Sequence, residues 1–228
     1  MSLLSRLFGR KAKTPAPPPP LLDLAALART HGLTIEGIVH VGANHGGEVA
    51  TYKAMGATRI VLVEANPALA EALRETFAGD PAVSIAAIAA GEADGEADFH
   101  LTSFDQSSSL LKLKRHAEIY PEIVAAGTIR VPVRRLDGAL AGMGMGTARF
   151  DLLSLDIQGA ELMALRGAPD LLARVAAVNC ELCFEELYEG CALAPDIDAH
   201  LGGFGFTRVA TATPYHSSWG DGFYVRKG

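Results

Sequence analysis

Residues 37–64 read GIVHVGANHGGEVATYKAMGATRIVLVE, and this stretch decides the fold. It opens with an apolar run that ends at Gly42 and continues with apolar residues at helical spacing over 48–56. A second apolar run then ends at Glu64. Short continuous apolar runs bounded by turn residues indicate buried strands. The stretch therefore predicts a strand, a helix and a second strand.

The same alternation continues along the chain. Residues 69–77 have helical spacing, residues 83–88 form an apolar run, a longer insertion follows, and a strand-helix-strand pattern resumes over 150–182. The last two apolar runs, 205–211 and 222–226, are separated only by a polar loop, so they can pair only antiparallel. We predict an α/β fold: a doubly wound, Rossmann-like sheet, mostly parallel, with an antiparallel C-terminal strand pair.

Composition and charge exclude several classes of protein. The 228 residues include 20 Lys and Arg and 26 Asp and Glu, a net charge of 20 − 26 = −6, and 49% are apolar. Four of the basic residues precede the first acid, Asp23, so the rest of the chain carries 16 − 26 = −10. Such a body repels phosphate backbones, so we expect no nucleic-acid partner. The length and apolar content predict one globular domain.

Residues 1–20 form a basic, proline-rich segment ahead of the domain predicted for residues 21–228. Two interpretations of this segment stay open. It is a flexible tail, or residues 1–13 form a short amphipathic helix that contacts a partner protein or anionic lipid at the inner face of the membrane. No apolar run approaches the ~20 residues that span a bilayer.

Cysteine usage favours a reducing compartment. Cys180, Cys183 and Cys191 are an odd number, which does not indicate a disulfide framework. The first two form a Cys-x-x-Cys pair inside an apolar run, but no second pair accompanies it. We therefore interpret the three as core side chains, and expect no metal site and a cytoplasmic location.

Ligands of open parallel sheets bind beyond the carboxyl ends of the strands. The glycine-rich turn over 42–47 brings backbone close to such a ligand, and Glu64, 22 residues after Gly42, is placed to bond ribose hydroxyls. The pair indicates an adenosine-containing ligand. The second motif position is Asn44 where a dinucleotide site prefers glycine, and together with the antiparallel chain end this favours S-adenosylmethionine over a nicotinamide cofactor.

A third strand end carries two acids. Asp156 follows the apolar run 152–155, and Glu161 falls in the first turn of the next helix. A carboxylate is favourable at a helix start, so Glu161 is either a stabiliser of that helix or a functional group. Asp156 either caps the turn or faces the ligand, and its position at the ligand-binding edge favours the second reading.

Several motifs together resemble one family. The strings VGANHGGEV, VEANP, DQSSSLL, VRRLDGAL, LSLDIQGAELMALRGAPDLL, CELCFEELYEG, LGGFGFTRV and GDGFYVRK look like the FkbM family of S-adenosylmethionine-dependent methyltransferases. The resemblance runs from about residue 37 to the C-terminus, and LDIQGAELMALRGA is its most specific part. One departure is Ser154, at a position where the family often has lysine.

The resemblance implies a class I methyltransferase fold and methyl transfer to an oxygen of a sugar, polyketide or other glycan-like acceptor. The residues predicted to bind the cofactor S-adenosyl-L-methionine are Gly42, Ala43, Asn44, Gly46, Glu64, Ala65, Asn66, Ile88 and Asp156.

Methyl transfer needs in-line positioning and a base for the acceptor hydroxyl. The predicted catalytic residues are Asp156, Glu181 and His45, with His216 a further candidate base. Asp156 and Glu181 flank either the acceptor or a divalent cation. The polar stretch 103–113 is predicted to cover the acceptor.

Two other functions stay open. One is a non-catalytic adenosine-binding or scaffolding module recruited through its basic tail. The other is a nicotinamide-dependent oxidoreductase, which Asn44 disfavours.

Overall fold

The computed structural model of the chain describes residues 22–227, so the tail predicted for residues 1–20 lies outside the described residues. The strands are β1 Gly37–Val41, β2 Arg59–Glu64, β3 Val83–Ala87, β4 Ala89–Ala90, β5 Gly95–Thr102, β6 Ala125–Arg134, β7 Leu152–Leu155, β8 Ala177–Cys183, β9 Phe206–Ala212 and β10 Trp219–Arg226. The helices are α1 Leu24–Thr30, α2 Val49–Ala54, α3 Pro67–Thr76, α4 His116–Ile119, α5 Leu136–Gly142, α6 Glu161–Arg166, α7 Pro169–Leu172 and α8 Ala194–Gly203.

The main sheet has seven strands in the order β3-β2-β1-β7-β8-β10-β9. The first five in this order are parallel, and β10 is antiparallel to both of its neighbours. The prediction of a mostly parallel sheet with an antiparallel C-terminal pair is confirmed. The strand order reverses between β1 and β7, and the crevice at such a reversal is where open α/β sheets bind ligands.

The central strands are buried on both faces. One face, with Ile38 and Leu152, packs against α1, α2 and α3, and the other, with Val39 and Leu153, packs against α5 to α8. Burial on both sides explains why these strands read as continuous apolar runs in the sequence. No helix within residues 22–227 is long and apolar enough to cross a membrane.

The stretch treated above as an insertion contains a second, three-stranded sheet, β4-β6-β5. The two longer strands, β5 and β6, bury one face, through Phe99, Val131 and Val133, and most of their other side chains are exposed or half-buried. Half-buried strands give a period-two pattern rather than an apolar run, so a search for apolar runs does not find them. A turn of 3₁₀ helix, Asp105–Ser107, follows β5 and carries the predicted covering stretch toward the main sheet edge.

Candidate active site

A cavity of about 530 Å³ opens at the strand-order reversal. Its walls are the turn after β1, the ends of β2, β7 and β8, the start of β10, and residues 104–108. Cavities of 300 to 1,000 Å³ hold small-molecule ligands in proteins. The predicted location of the site, and the predicted contribution of the 103–113 stretch to its wall, agree with this cavity.

The turn after β1 brings backbone into the cavity wall. Gly42 has φ +88°, and a Cβ there would collide with the backbone carbonyl of Asp156, so only glycine fits. Asn44 also has positive φ, +46°, which is uncommon for a residue other than glycine. A strained backbone is retained where surrounding contacts enforce it, often at a functional site. Here the enforcing contact comes from Glu64.

Glu64 is buried at the end of β2 and ties down two neighbouring backbones. Its Oε2 accepts the N–H of Asn44 and its Oε1 accepts the N–H of Asn66, each at 2.8 Å. Burial raises the pKa of Glu64, and these hydrogen bonds act in the opposite direction. Each carboxylate oxygen has a second lone pair, so the side chain can still accept a hydroxyl.

Seven of the nine residues predicted to bind the cofactor line the cavity: Gly42, Ala43, Asn44, Glu64, Ala65, Ile88 and Asp156. The other two do not line it. Gly46 packs against Phe77, and the Asn66 side chain accepts the N–H of Ala68 as the N-cap of α3.

Three carboxyl groups lie in a row across the sheet edge. Leu155 pairs with Cys180, so the next residues, Asp156 and Glu181, are neighbours, and Asp221 of β10 lies directly opposite Glu181. Burial raises the pKa of all three carboxyls. Repulsion from Asp156 raises the pKa of Glu181 further, and that of Asp221 to about 8, whereas the hydrogen bond from Gln158 acts in the opposite direction on Asp156. Asp156 and Glu181 were predicted to share the site, whereas Asp221 was not found from the sequence.

Gln158 joins two of these carboxyls. Its Nε2 donates to Asp156 Oδ1 at 2.7 Å and to Glu181 Oε2 at 2.9 Å. Its Oε1 accepts the hydroxyl of Tyr188 at 2.6 Å, which orients the amide. Gln158 has φ +58°, so it and Asn44 are the two described non-glycine residues with positive φ, and both line the cavity.

A second polar row lies deeper on the same face of the sheet. His40, Ser154 and Asn179 are register neighbours on β1, β7 and β8. The Asn179 amide donates to Ser154 at 3.3 Å, and His40 Nδ1 lies 3.2 Å from the hydroxyl of Tyr52. Burial lowers the pKa of His40 to about 4, so it is neutral near pH 7. Ser154, the departure from the family pattern, therefore belongs to a buried hydrogen-bonded layer beneath the carboxyl row.

Glu161 has a structural position. It is buried, and its Oε1 accepts the backbone N–H groups of Ile157 (2.9 Å) and Gly159 (3.2 Å), which orders the turn that carries Gln158. Burial raises the pKa of Glu161 to about 7. Of the two readings left open above, the contacts favour the stabilising one. Asp137 plays a similar part at α7, where it accepts the N–H groups of Asp170 and Leu171.

The two candidate histidines lie apart from the carboxyl row. The His45 side chain is 65% exposed and bonds Asp105 at 3.0 Å on the rim, and it does not line the cavity. His216 bonds its neighbour Ser218 and does not line the cavity either. Neither geometry favours a base beside Asp156, so the carboxyl row is the better placed source of one.

Aromatic side chains form the outer wall. Trp219 and Tyr215 stack with ring centroids 5.7 Å apart, and the Trp219 indole N–H donates to the hydroxyl of Tyr120 at 3.0 Å. Phe104, 48% exposed, lies on the covering stretch. Trp219 and Asp221 lie two residues apart on β10, and both line the cavity.

The three cysteines are free and buried, as expected for core side chains. Within residues 22–227 no group of three or more His, Cys, Asp or Glu side chains is arranged to hold a metal ion.

A comparison with protein-family models identifies the family of this chain. The methyltransferase FkbM domain matches residues 40–208, which include the glycine-rich turn after β1, Glu64, Asp156 and Glu181. The chain belongs to the FkbM methyltransferase family. The predicted resemblance is confirmed.

Two relatives illustrate the range of the family. The 2-O-methyltransferase NoeI of Sinorhizobium fredii (strain NBRC 101917 / NGR234) is 27% identical over 161 residues, covering 67% of this chain and 65% of that protein. The chain thus spans slightly less than two thirds of the length of this curated relative. The crystal structure of a methyltransferase FkbM from Methylobacillus flagellatus KT is 15% identical with a TM-score of 0.57, covering 91% of this chain and 48% of that chain. This likeness supports the class I methyltransferase fold.

For this FkbM family member, sequence reasoning missed His40, Gln158, Tyr188 and Asp221. Two of them could have been found from the alternation of side chains along a strand. His40 lies two residues before Gly42 on the same face of β1, and Asp221 interrupts an apolar strand between two glycines. The contact between Gln158 and Tyr188 joins residues 30 positions apart and had no local signal.

Proposed function

We propose that this protein transfers the methyl group of S-adenosylmethionine to a hydroxyl of a sugar, glycan, polyketide or similar small acceptor. One observation carries the proposal most directly. Asp156 and Glu181, held by one amide from Gln158, face a cavity whose other end is formed by the glycine turn and Glu64. Family membership supports the same reaction class.

The residues at the first end fit the donor. Glu64 would accept ribose hydroxyls through its remaining lone pairs, and Ala65 and Ile88 offer apolar surface for a planar ring. Backbone around Asn44 would bond the donor's polar end. When bound, S-adenosylmethionine supplies an electrophilic methyl group.

The residues at the second end fit an acceptor hydroxyl. A carboxylate next to that hydroxyl can take its proton as the new bond forms, and burial raises the pKa of Asp156 toward working pH, where general bases are most effective. Gln158 holds two carboxyls in fixed positions, which favours in-line alignment. Residues 104–108 line the cavity and would limit the access of water to bound substrates.

The proposal is tested by equilibrium binding of S-adenosylmethionine and of NAD, followed by a labelled-methyl transfer screen over sugars, glycolipids and polyketides. We expect binding of the first ligand in the micromolar range, no binding of NAD, and label on at least one hydroxylated acceptor.

Two variants accompany the screen. Glu181→Gln should lose most transfer while it keeps donor binding. Glu75→Gln removes one charge from an exposed position on α3, away from the cavity, and should behave as wild type. Donor binding without transfer to any acceptor would favour the non-catalytic module, and binding of NAD alone would favour the oxidoreductase.

A further inference from the structure

The ionisable side chains that line the cavity are predominantly acidic. Six acidic side chains line it: Glu48, Glu64, Asp105, Asp156, Glu181 and Asp221. Among the described residues, no lysine or arginine lines it. The histidines that line it, His40 and His116, have pKa values lowered by burial, so they add no cation near neutral pH.

The acidic side chains lie closest together at the end proposed for the acceptor. Glu181 and Asp221 are directly opposite each other on antiparallel strands, where two like charges repel. Gln158 donates to Asp156 and Glu181, whereas Asp221 receives no hydrogen bond from any described residue. Its carboxyl is open to the cavity, and Trp219, two residues earlier on β10, stands beside it.

An anionic group that enters the space beside Asp221 would meet carboxyl oxygens, which accept hydrogen bonds, and aromatic faces. Carboxylates repel phosphate, sulfate and carboxylate groups, and a negative charge brought close would force further proton uptake by the row. Phosphate recognition in proteins uses Arg, Lys or rows of backbone N–H groups, and the described acceptor side has none of the first two. Hydroxyl and ammonium groups, by contrast, donate hydrogen bonds that carboxyls accept, and aromatic faces attract cations.

We propose that the acceptor end of this cavity takes an uncharged or amine-bearing hydroxyl compound and rejects acceptors that carry phosphate, sulfate or carboxylate at the end that enters. This inference rests on the proposed function, because it assumes that a methyl acceptor enters this end of the cavity. The underlying claim, that the space between Asp221 and Trp219 excludes anions, can be measured without any reaction.

Trp219 reports directly on that space, because it is the one tryptophan of the chain. Its fluorescence in the full chain is quenched with acrylamide, iodide and caesium, each normalised to the quenching of free N-acetyltryptophanamide. At pH 9, above the pKa of Asp221 (about 8), this carboxyl is ionised. Under these conditions we expect the normalised iodide constant to be about three-fold or more below the caesium constant, a difference that a negative local potential produces. Added inert salt should reduce the difference.

Variants connect this difference to named residues. Asp221→Asn and, on the rim, Asp105→Asn should each bring the two ionic constants closer, and Glu75→Gln should leave them apart. Equal constants for iodide and caesium in the wild type, including no quenching by either, would overturn the inference. So would unchanged constants in both cavity variants.

A second arm uses matched acceptors: methyl glucoside, methyl glucuronide and the methyl glycoside of glucosamine, and neutral and sulfated forms of any glycolipid found active in the screen. Neutral or amine forms should be methylated at least ten-fold faster than anionic forms. Faster transfer to an anionic form overturns the inference while it upholds the proposed function. If no acceptor is methylated, the proposed function is wrong. The quenching result then decides the electrostatic claim by itself.

Discussion

The two ends of the cavity use acidic side chains in opposite ways. At the end proposed to bind the methyl donor, Glu64 accepts two backbone N–H groups and holds two chain segments together. At the acceptor end, Asp156 and Glu181 share one side-chain amide, and Asp221 has no donor among the described residues. The difference teaches that hydrogen bonds from backbone make a carboxylate part of the scaffold, whereas a carboxyl left with free lone pairs is available for chemistry.

The comparison is sharpest at Asp156, where we expect the largest effect. Asp156→Asn keeps the size of the side chain and a bond with Gln158 but removes the charge. Turnover should fall by ~10²-fold or more because proton removal or acceptor alignment is lost, while the melting temperature stays within a few degrees. Turnover and thermal unfolding are measured on one sample. Near-normal turnover in a folded variant would remove Asp156 from the catalytic residues.

At the donor end, binding and stability should fall together. Glu64→Ala removes the group proposed to bond the ribose and leaves two backbone N–H groups unpaired, so we expect donor affinity to drop ten-fold or more and stability by ~1–3 kcal/mol. Calorimetric binding and chemical denaturation check both. Asp137→Ala is the matched control, because Asp137 also bonds two backbone N–H groups but lies outside the cavity. It should lose stability alone, and an unchanged dissociation constant in Glu64→Ala would refute the ribose assignment.

Variants of Gln158 test whether Asp156 and Glu181 need a shared hydrogen-bond donor for the proposed reaction. Gln158→Ala should lower kcat by about ten-fold with donor affinity changed less than about three-fold, because it frees Asp156 and Glu181 without touching the donor end. Tyr188→Phe removes only the hydroxyl that orients the amide and should have a smaller effect in the same direction. Steady-state kinetics with both variants, read beside donor binding, distinguish this from a general loss of fold. Equal losses of kcat and donor affinity would argue against an anchoring role.

The scaffold carboxyl Glu161 should appear in the pH dependence of stability. Its pKa in the folded protein, about 7, exceeds the unfolded value, so the folded state binds the extra proton and stability falls as pH rises from about 5 to about 8. Glu161→Gln keeps an oxygen that accepts both backbone N–H groups and cannot ionise. The variant should lose less stability over this range, by ~2–3 kcal/mol or less. If the stabilities of wild type and Glu161→Gln changed with pH by the same amount, the assignment of this pH dependence to Glu161 would be wrong.

The smallest effect is expected from the N-terminal segment. Deletion of residues 1–20 should leave donor binding and the melting temperature unchanged, because a proline-rich stretch separates this segment from α1. Cosedimentation of the full and shortened chains with anionic vesicles, at low and high salt, tests the alternative of a lipid-binding helix. A loss of several degrees in melting temperature would show that the segment contributes to the folded domain.

The sequence alone determined the order of the central elements, because strands buried on both faces must be apolar throughout, and it located Glu64 and Asp156 from their places at strand ends. The family motifs then indicated the class of reaction. The sequence analysis did not predict the second sheet, because its half-buried strands mix polar and apolar residues.

Only the tertiary structure decided which acids are scaffold and which are open to chemistry. Asp221 reaches Glu181 through an antiparallel strand 40 residues later, and Tyr188 reaches Gln158 from a loop 30 residues away. His45 lies within the glycine-rich turn over 42–47, yet its side chain is exposed and bonds Asp105. Register across strands and the direction of a side chain depend on packing between distant segments, and local sequence patterns do not encode them.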